Sequence, residues 1–309
     1  MFTRSAGTII RPTPVRVLRS DCPEDILQFA KEAYRDGNVA LATLTEIRGG
    51  AARSLGSQMV IAGDGRFCGY VSGGCVEAAV TAEALVAIEQ REDRTTRYGD
   101  GSPFFDIVLP CGGGITVAIH VVRDISVIDR VLQKLERREE TSLCYRPDTQ
   151  SISDAGGSRS NGWEAGAFYT IYRPKTRLVT SGNALESEAV ADVSRAAGYE
   201  VMSHQERKSS DDPELPIDRY TAIVLLHHDL DREEALLRLA MNSDAFYIGA
   251  LGSTRTHRKR VLRLQLYASG EAISRVKAPI GIFGPTRDAT SLALSIVADV
   301  AASRLALYG

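Results

Sequence analysis

The stretch Arg177-Leu178-Val179-Thr180-Ser181-Gly182-Asn183-Ala184-Leu185-Glu186-Ser187 runs from a short apolar segment through one glycine into a helical pattern over 187–197. A strand, a glycine turn and a helix in that order open the units from which parallel sheets are built. The alternation then continues, with strands over 200–203 and 221–226, a helix over 231–241 and a strand over 245–251. This pattern predicts a doubly wound parallel sheet that meets its ligands at the carboxyl ends of its strands. After Gly284-Pro285-Thr286, a last helix aligns Leu292, Ile296 and Val300 beside Ala293, Val297 and Ala301 as an apolar stripe.

The glycine fingerprint of a dinucleotide site is broken here. Only its first glycine, Gly182, is present; Ala184 and Ser187 crowd the pyrophosphate approach, and Glu186 adds a negative charge there. Glu206 stands at a plausible distance for a ribose-binding carboxylate, yet the loop argues against tight NAD(P) binding. Two further strand ends carry polar residues. His227-His228-Asp229 follows the strand 221–226, and of the pair His228 is the candidate for orienting a ligand or moving a proton. Adjacent histidines in extended chain face opposite sides and do not share one metal. Gly252-Ser253-Thr254-Arg255 follows the next strand and opens a basic helix, so Gly252, Ser253 and Arg255 are candidates for holding a phosphate. Arg258, Lys259 and Arg260 read as a solvated basic face.

Working toward the N-terminus, Asp21 or Cys22 caps a helix whose first turn holds Pro23 and which ends at Gly37. Strands over 39–47 and 58–62 flank a glycine-rich stretch, 49–57, and Gly63-Asp64-Gly65-Arg66 reads as a hairpin turn. The returning strand delivers Ser72-Gly73-Gly74-Cys75-Val76-Glu77, followed by a helix over 76–89. Cys75 therefore stands near a helix N-terminus, where unpaired N–H groups favour anions. Glu77 reads as a solvated glutamate at the helix start. Segments 104–109 and 115–122 read as strands joined by a second motif, Leu109-Pro110-Cys111-Gly112-Gly113-Gly114, and 127–138 as a helix. Each motif sets one thiol among glycines that let a bound molecule approach the backbone.

From 146 to 165 the chain is rich in Ser, Gly and Pro with little periodicity, which predicts a linker between a domain over 1–145 and a domain over 166–309. With 309 residues and a net charge of −2, the chain lacks the basic excess expected of a nucleic-acid or anionic-membrane partner. No apolar run reads as long enough to span a bilayer, and the first residues lack a secretion signal's apolar core, so a cytoplasmic location is expected. Five cysteines, odd in number and without CxxC spacing, read as free thiols in a reducing compartment.

The stretch from Leu41 through Leu55-Gly56-Ser57, the Asp64-Gly65 hairpin, Val71 to Glu77 and Leu109 to Gly113 resemble the N-terminal domain of the XdhC/CoxI family. Tyr247-Ile248-Gly249-Ala250-Leu251-Gly252-Ser253-Thr254-Arg255-Thr256 resembles the same family's nucleotide-fold signature, and Ala278-Pro279-Ile280-Gly281 its closing one. The resemblance covers nearly the whole chain and implies an accessory protein, not itself an enzyme, for molybdenum hydroxylases of the xanthine dehydrogenase or aldehyde oxidoreductase type. Its cargo would be the molybdenum cofactor (molybdopterin), its partners a cysteine desulfurase that supports sulfuration and the apo molybdenum hydroxylase that receives the product, and its state a homodimer. Carried onto this chain, Cys75 and Cys111 are the candidate metal and cofactor contacts, since thiolates suit such a metal, with Gly73, Gly74, Gly112 and Gly113 shaping the pocket.

The fold expected is thus α/β, an N-terminal mixed α/β domain followed by a C-terminal Rossmann-like doubly wound domain. The competing functional readings are an NAD(P)-dependent oxidoreductase, which the broken fingerprint opposes, and a redox sensor pairing Cys75 with Cys111, which needs the two sulfurs within bonding distance.

Overall fold

Apolar segments interrupted by glycine turns build the first half of the chain into a six-stranded sheet in a computed structural model, which describes residues 12–102, 112–157, 159–204 and 215–308. The elements are β1 (Val15–Leu18), α1 (Pro23–Asp36), β2 (Val39–Arg48), β3 (Gln58–Ala62), β4 (Arg66–Gly69), α2 (Glu77–Gln90), β5 (Arg94–Gly99), β6 (Gly114–Val121) and α3 (Ser126–Glu136). The sheet order is β1-β4-β3-β2-β6-β5, antiparallel throughout except where β1 runs parallel to β4. Helix α2 packs Val80, Ala84 and Leu85 against Ala42, Leu44 and Met59 on one face, while α1 and α3 cover Val39, Leu41 and Val60 on the other. That double cover explains why β2 is buried from Val39 to Thr45.

Cys22 caps α1 without a side-chain hydrogen bond, and the Gly37 N–H closes its far end on Ala33. Strand β5 is absent from the sequence reading because its charged and hydroxyl residues, Arg94-Thr95-Thr96-Arg97, carry little apolar signal. The expected strand over 104–109 lies outside the described residues.

The expected linker is corrected by the structure. Residues 146–165 contribute to a second, antiparallel sheet made of β7 (Thr141–Arg146), β8 (Ser151–Asp154), β9 (Gly162–Glu164) and β10 (Ala167–Tyr172), in the order β8-β7-β10-β9. The outer strands β8 and β9 are short and half exposed, so their residues look like loop by composition. Lys134 and Thr141 hold β8 through Asp154, at 2.6 and 3.0 Å. Because β10 belongs to this sheet, the two compact units divide between Pro174 and Lys175 rather than near Gly166.

The second unit contains β11 (Arg177–Gly182), α4 (Ala184–Ala196), β12 (Glu200–Ser203), β13 (Thr221–Leu226), α5 (Leu230–Met241), β14 (Tyr247–Ala250), α6 (Thr254–Leu264), α7 (Gly270–Ser274), β15 (Val276–Lys277) and α8 (Ala289–Tyr308). Its five described strands are all parallel, in the order β12-β11-β13-β14-β15. Alternate residues face opposite layers: Val179, Ile223 and Leu225 pack on α5 and α6, and Leu178, Ala222 and Val224 on α4 and α8. The doubly wound architecture is therefore present, and its order reverses between β11 and β13.

Helix α8 corrects another expectation. By length and composition alone it could cross a membrane, and a third of it is buried. Here its inner face, Ala293, Ile296 and Val300, belongs to the core of the second unit. Midway along it, Asp299 accepts the Tyr247 hydroxyl at 2.6 Å and pairs with Lys277.

Arg260 is not on a solvated face, whereas Arg258 and Lys259 are exposed. Its guanidinium is 2 % exposed, pairs with the equally buried Glu233 of α5 and donates to the Leu251 carbonyl at 2.7 Å. Glu233→Ala should lower the stability of the full chain by about 3–5 kcal/mol, because it leaves a buried guanidinium without its carboxylate. Arg263→Ala, which removes an exposed pair with Asp231, should cost under about 1 kcal/mol. Urea unfolding followed by circular dichroism measures both.

Candidate functional site

Antiparallel pairing fixes which loops of the first unit share an end of the sheet. Strands β2, β4 and β5 finish, and β3 and β6 begin, at the same end, so the segments 49–57, 70–76, 100–102 and 112–113 gather there. The glycines of the two motifs, Gly73-Gly74 and Gly112-Gly113, are distant in sequence and stand on one edge of one sheet. A side chain at Gly73 would reach within 3.5 Å of Ala52, and one at Gly113 would fall on the Gly50 carbonyl. Glycine at 113 is thus required by close backbone approach. Arg48 buttresses the same corner, donating to the Asp100 and Ile115 carbonyls at 3.1 and 3.2 Å and to Glu46 and Thr116. Cys111 lies outside the described residues.

The loop carrying Cys75 is organised from inside. Glu77, read from sequence as solvated, is 1 % exposed. Its Oε1 accepts the backbone N–H groups of Val71, Ser72 and Gly73 at 3.1, 2.8 and 3.1 Å, while Oε2 accepts the Ser72 hydroxyl and the Gly74 N–H at 2.8 and 2.9 Å. The Ser72 oxygen in turn accepts the N–H groups of Cys75 and Val76. A carboxylate of the chain itself fills the concavity in which an anion was expected, and the donors are used up locally. What remains is an exposed, singly presented thiol, Cys75, on a fixed loop immediately before α2.

Burial by itself pushes the Glu77 carboxyl up, but the hydrogen bonds from Ser72 and Val71 outweigh it and hold the group below the usual carboxylate range. The sequence did carry a signal, since a glutamate five residues after a serine and three after a glycine pair is what such a cradle needs. It lacked any sign that the carboxylate would turn inward.

In the second unit, Gly182, His227, His228 and Gly252 all lie at the carboxyl edge of the sheet, consistent with the register of β11, β13 and β14. A crevice of about 490 Å³ opens between β11 and β13, lined by Gly182, Asn183, His227, His228 and Arg232. Gly182 is obligatory there, because a side chain would collide with the Leu226 carbonyl. The two histidines diverge: His227 Nε2 is 3.0 Å from Ser181 Oγ, whereas His228 is exposed and 3.9 Å from Glu186. Ser253, expected to meet a phosphate, uses its hydroxyl as the cap of α6, accepting the Thr256 N–H at 3.2 Å, and Arg255 is exposed. Glu206 lies outside the described residues. Among the described residues, no cluster of three His, Cys, Asp or Glu side chains could hold a metal ion.

The Glu77 cradle predicts a measurable pH dependence. Its folded acidity is depressed, so its contribution is complete above the ordinary carboxylate range and is lost as pH falls through the lower folded value. Glu77→Ala should cost roughly 3 kcal/mol or more at neutral pH by orphaning buried donors. The difference from wild type should shrink on acidification, as read by urea midpoints across an acid series.

The XdhC Rossmann domain model matches residues 178–300, and the XdhC and CoxI family model matches residues 33–99. The chain is 47% identical over 294 residues to the molybdenum cofactor insertion chaperone PaoD of Escherichia coli (strain K12), covering 94% of this chain and 92% of that protein. It is 22% identical to a probable xanthine dehydrogenase component of Bacillus subtilis (strain 168), over 85% of this chain and 92% of that one. Among solved structures, a xanthine dehydrogenase from Bacillus halodurans superposes with a TM-score of 0.72 at 20% identity, covering 91% and 96% of the two chains, a likeness of fold. With both of its halves matched in order and its full length shared with a close relative, the chain belongs to the XdhC and CoxI family.

Proposed function

We propose that this protein is a carrier for the molybdenum cofactor, which it holds as cargo, keeps available for sulfuration and passes to an apo molybdenum hydroxylase. The observation that carries the reading is the Cys75 loop: an exposed thiol on a backbone made rigid by an internal carboxylate, beside the glycines of the second motif. A thiolate is a suitable ligand for such a metal. One or two thiols, without a cluster of further ligands, fit a metal that arrives with most of its coordination already supplied, as cargo does, better than a resident ion. The high identity to an insertion chaperone supports the same reading.

On this reading Cys75, with Cys111 as its partner, touches the metal end of the cargo, and Gly73, Gly74, Gly112 and Gly113 leave room for it. Glu77 positions the thiol and does not touch the cargo. Because the loop is at the surface, a sulfur donor such as a cysteine desulfurase can reach the same metal end before transfer. Gly252, Ser253, Arg255 and His228 are assigned to phosphate contacts at the strand ends of the second unit, with Ser253 contributing alongside its capping bond.

Coexpression with the cofactor pathway, followed by metal analysis and fluorescence of the oxidised pterin, tests the assignment. The Cys75→Ser/Cys111→Ser double variant should retain several-fold less molybdenum and pterin per chain. Unchanged occupancy in a folded double variant would overturn it.

A further inference from the structure

Within the first unit, a cleft of about 350 Å³ lies between the segment 52–57, the start of α1 and strand β10. Its floor is polar and buried. Gln58, 6 % exposed, donates from Nε2 to the Thr43 hydroxyl at 3.0 Å and accepts the Tyr172 hydroxyl on Oε1 at 2.6 Å. A carboxamide has two N–H donors and two oxygen lone pairs, so one of each remains on a side chain that lines the cleft. That remaining donor and acceptor complement an amide edge.

The rim supplies a flat, cationic surface. Arg53 pairs with Asp21 at 2.7 Å and its guanidinium carbon lies 5.0 Å from the centre of the Tyr70 ring, on which Arg16 also stacks at 4.0 Å. Guanidinium and phenol groups of this kind pack on the faces of electron-poor planar rings. The walls are fastened in place: Asn161 donates to the Leu55 carbonyl at 3.1 Å and accepts the Ile171 N–H at 2.7 Å. The volume falls in the ordinary range for small-molecule pockets, about 300–1,000 Å³. On the far side of the same segment, Ala52 adjoins Gly73 of the thiol loop.

We propose that this cleft seats the fused, amide-edged heterocycle of the cargo, with its ring between the Arg53–Tyr70 rim and the Gln58 floor while its metal end meets Cys75. The assignment rests on the carrier reading above. It extends that reading by placing the recognition of the organic part in a site separate from the thiol. A 2-amino-4-oxo pyrimidine edge is shared by pterins and guanine, so the two sources must be told apart.

Titration of the cargo-free full chain with neopterin, a metal-free fluorescent pterin, and in parallel with GMP, distinguishes them. Neopterin should bind saturably, and Arg53→Ala should weaken it about tenfold, the scale of losing one well-placed contact. Gln58→Leu should do the same if its melting curve shows it folded. Cys75→Ser should leave neopterin affinity unchanged, because the thiol serves only the metal end. Absence of neopterin binding at millimolar concentration, insensitivity to Arg53→Ala, or a tenfold preference for GMP overturns the assignment. Loss of cargo in the double cysteine variant together with any of these results would leave the carrier reading standing and remove only the cleft.

Discussion

A single carboxylate, that of Glu77, decides how the open end of the first sheet is built. Four backbone N–H groups and one hydroxyl converge on it from the six residues before it. Backbone with two consecutive glycines has many conformations to lose on folding, and this network replaces that freedom with one geometry. The thiol next to it inherits that order without having to make a contact of its own. The helix that follows starts at Glu77 itself, so the same residue that closes the loop also joins it to the α2 face buried under the sheet.

The consequence for chemistry is a separation of tasks. Concavities of backbone N–H groups commonly receive phosphate or other anions from outside. Here the concavity is filled internally, and recognition is left to what stands around it: the thiol, the open glycine positions, and the polar cleft across the segment 52–57. A rigid loop suits a carrier, since a ligand held through few contacts loses little to reorganisation on binding and can still be released.

Much of the fold was legible in the sequence because its strands are either buried on both faces, as β2 and β13 are, or joined by glycine turns such as Asp64-Gly65. The helices were legible from period and capping. What failed were elements whose signal is not apolar. Strands β8 and β9 consist of Ser, Asp, Gly and Glu around single apolar residues on sheet edges, and composition alone makes them look like linker. Glu77 and Arg260 were read as solvated because charged residues usually are, and burial was compensated by partners far from obvious: backbone donors for the first, and for the second Glu233, 27 residues away. The thiol motif was visible locally. The cleft was not, because Gln58, Asn161 and Tyr172 meet only after two sheets have packed.

That difference in range sets an order of assembly. The thiol loop closes through contacts no more than six residues apart, whereas the cleft walls are tied by bonds spanning 106, 114 and 118 residues, Asn161 to Leu55, Tyr172 to Gln58 and Trp163 to Thr45. Loop-closure entropy makes the short contacts form early and the long ones late. A nascent or partly unfolded chain therefore exposes a competent metal ligand before it owns the cavity that discriminates among ligands. Quality control over what the thiol captures is thereby tied to completion of the second sheet.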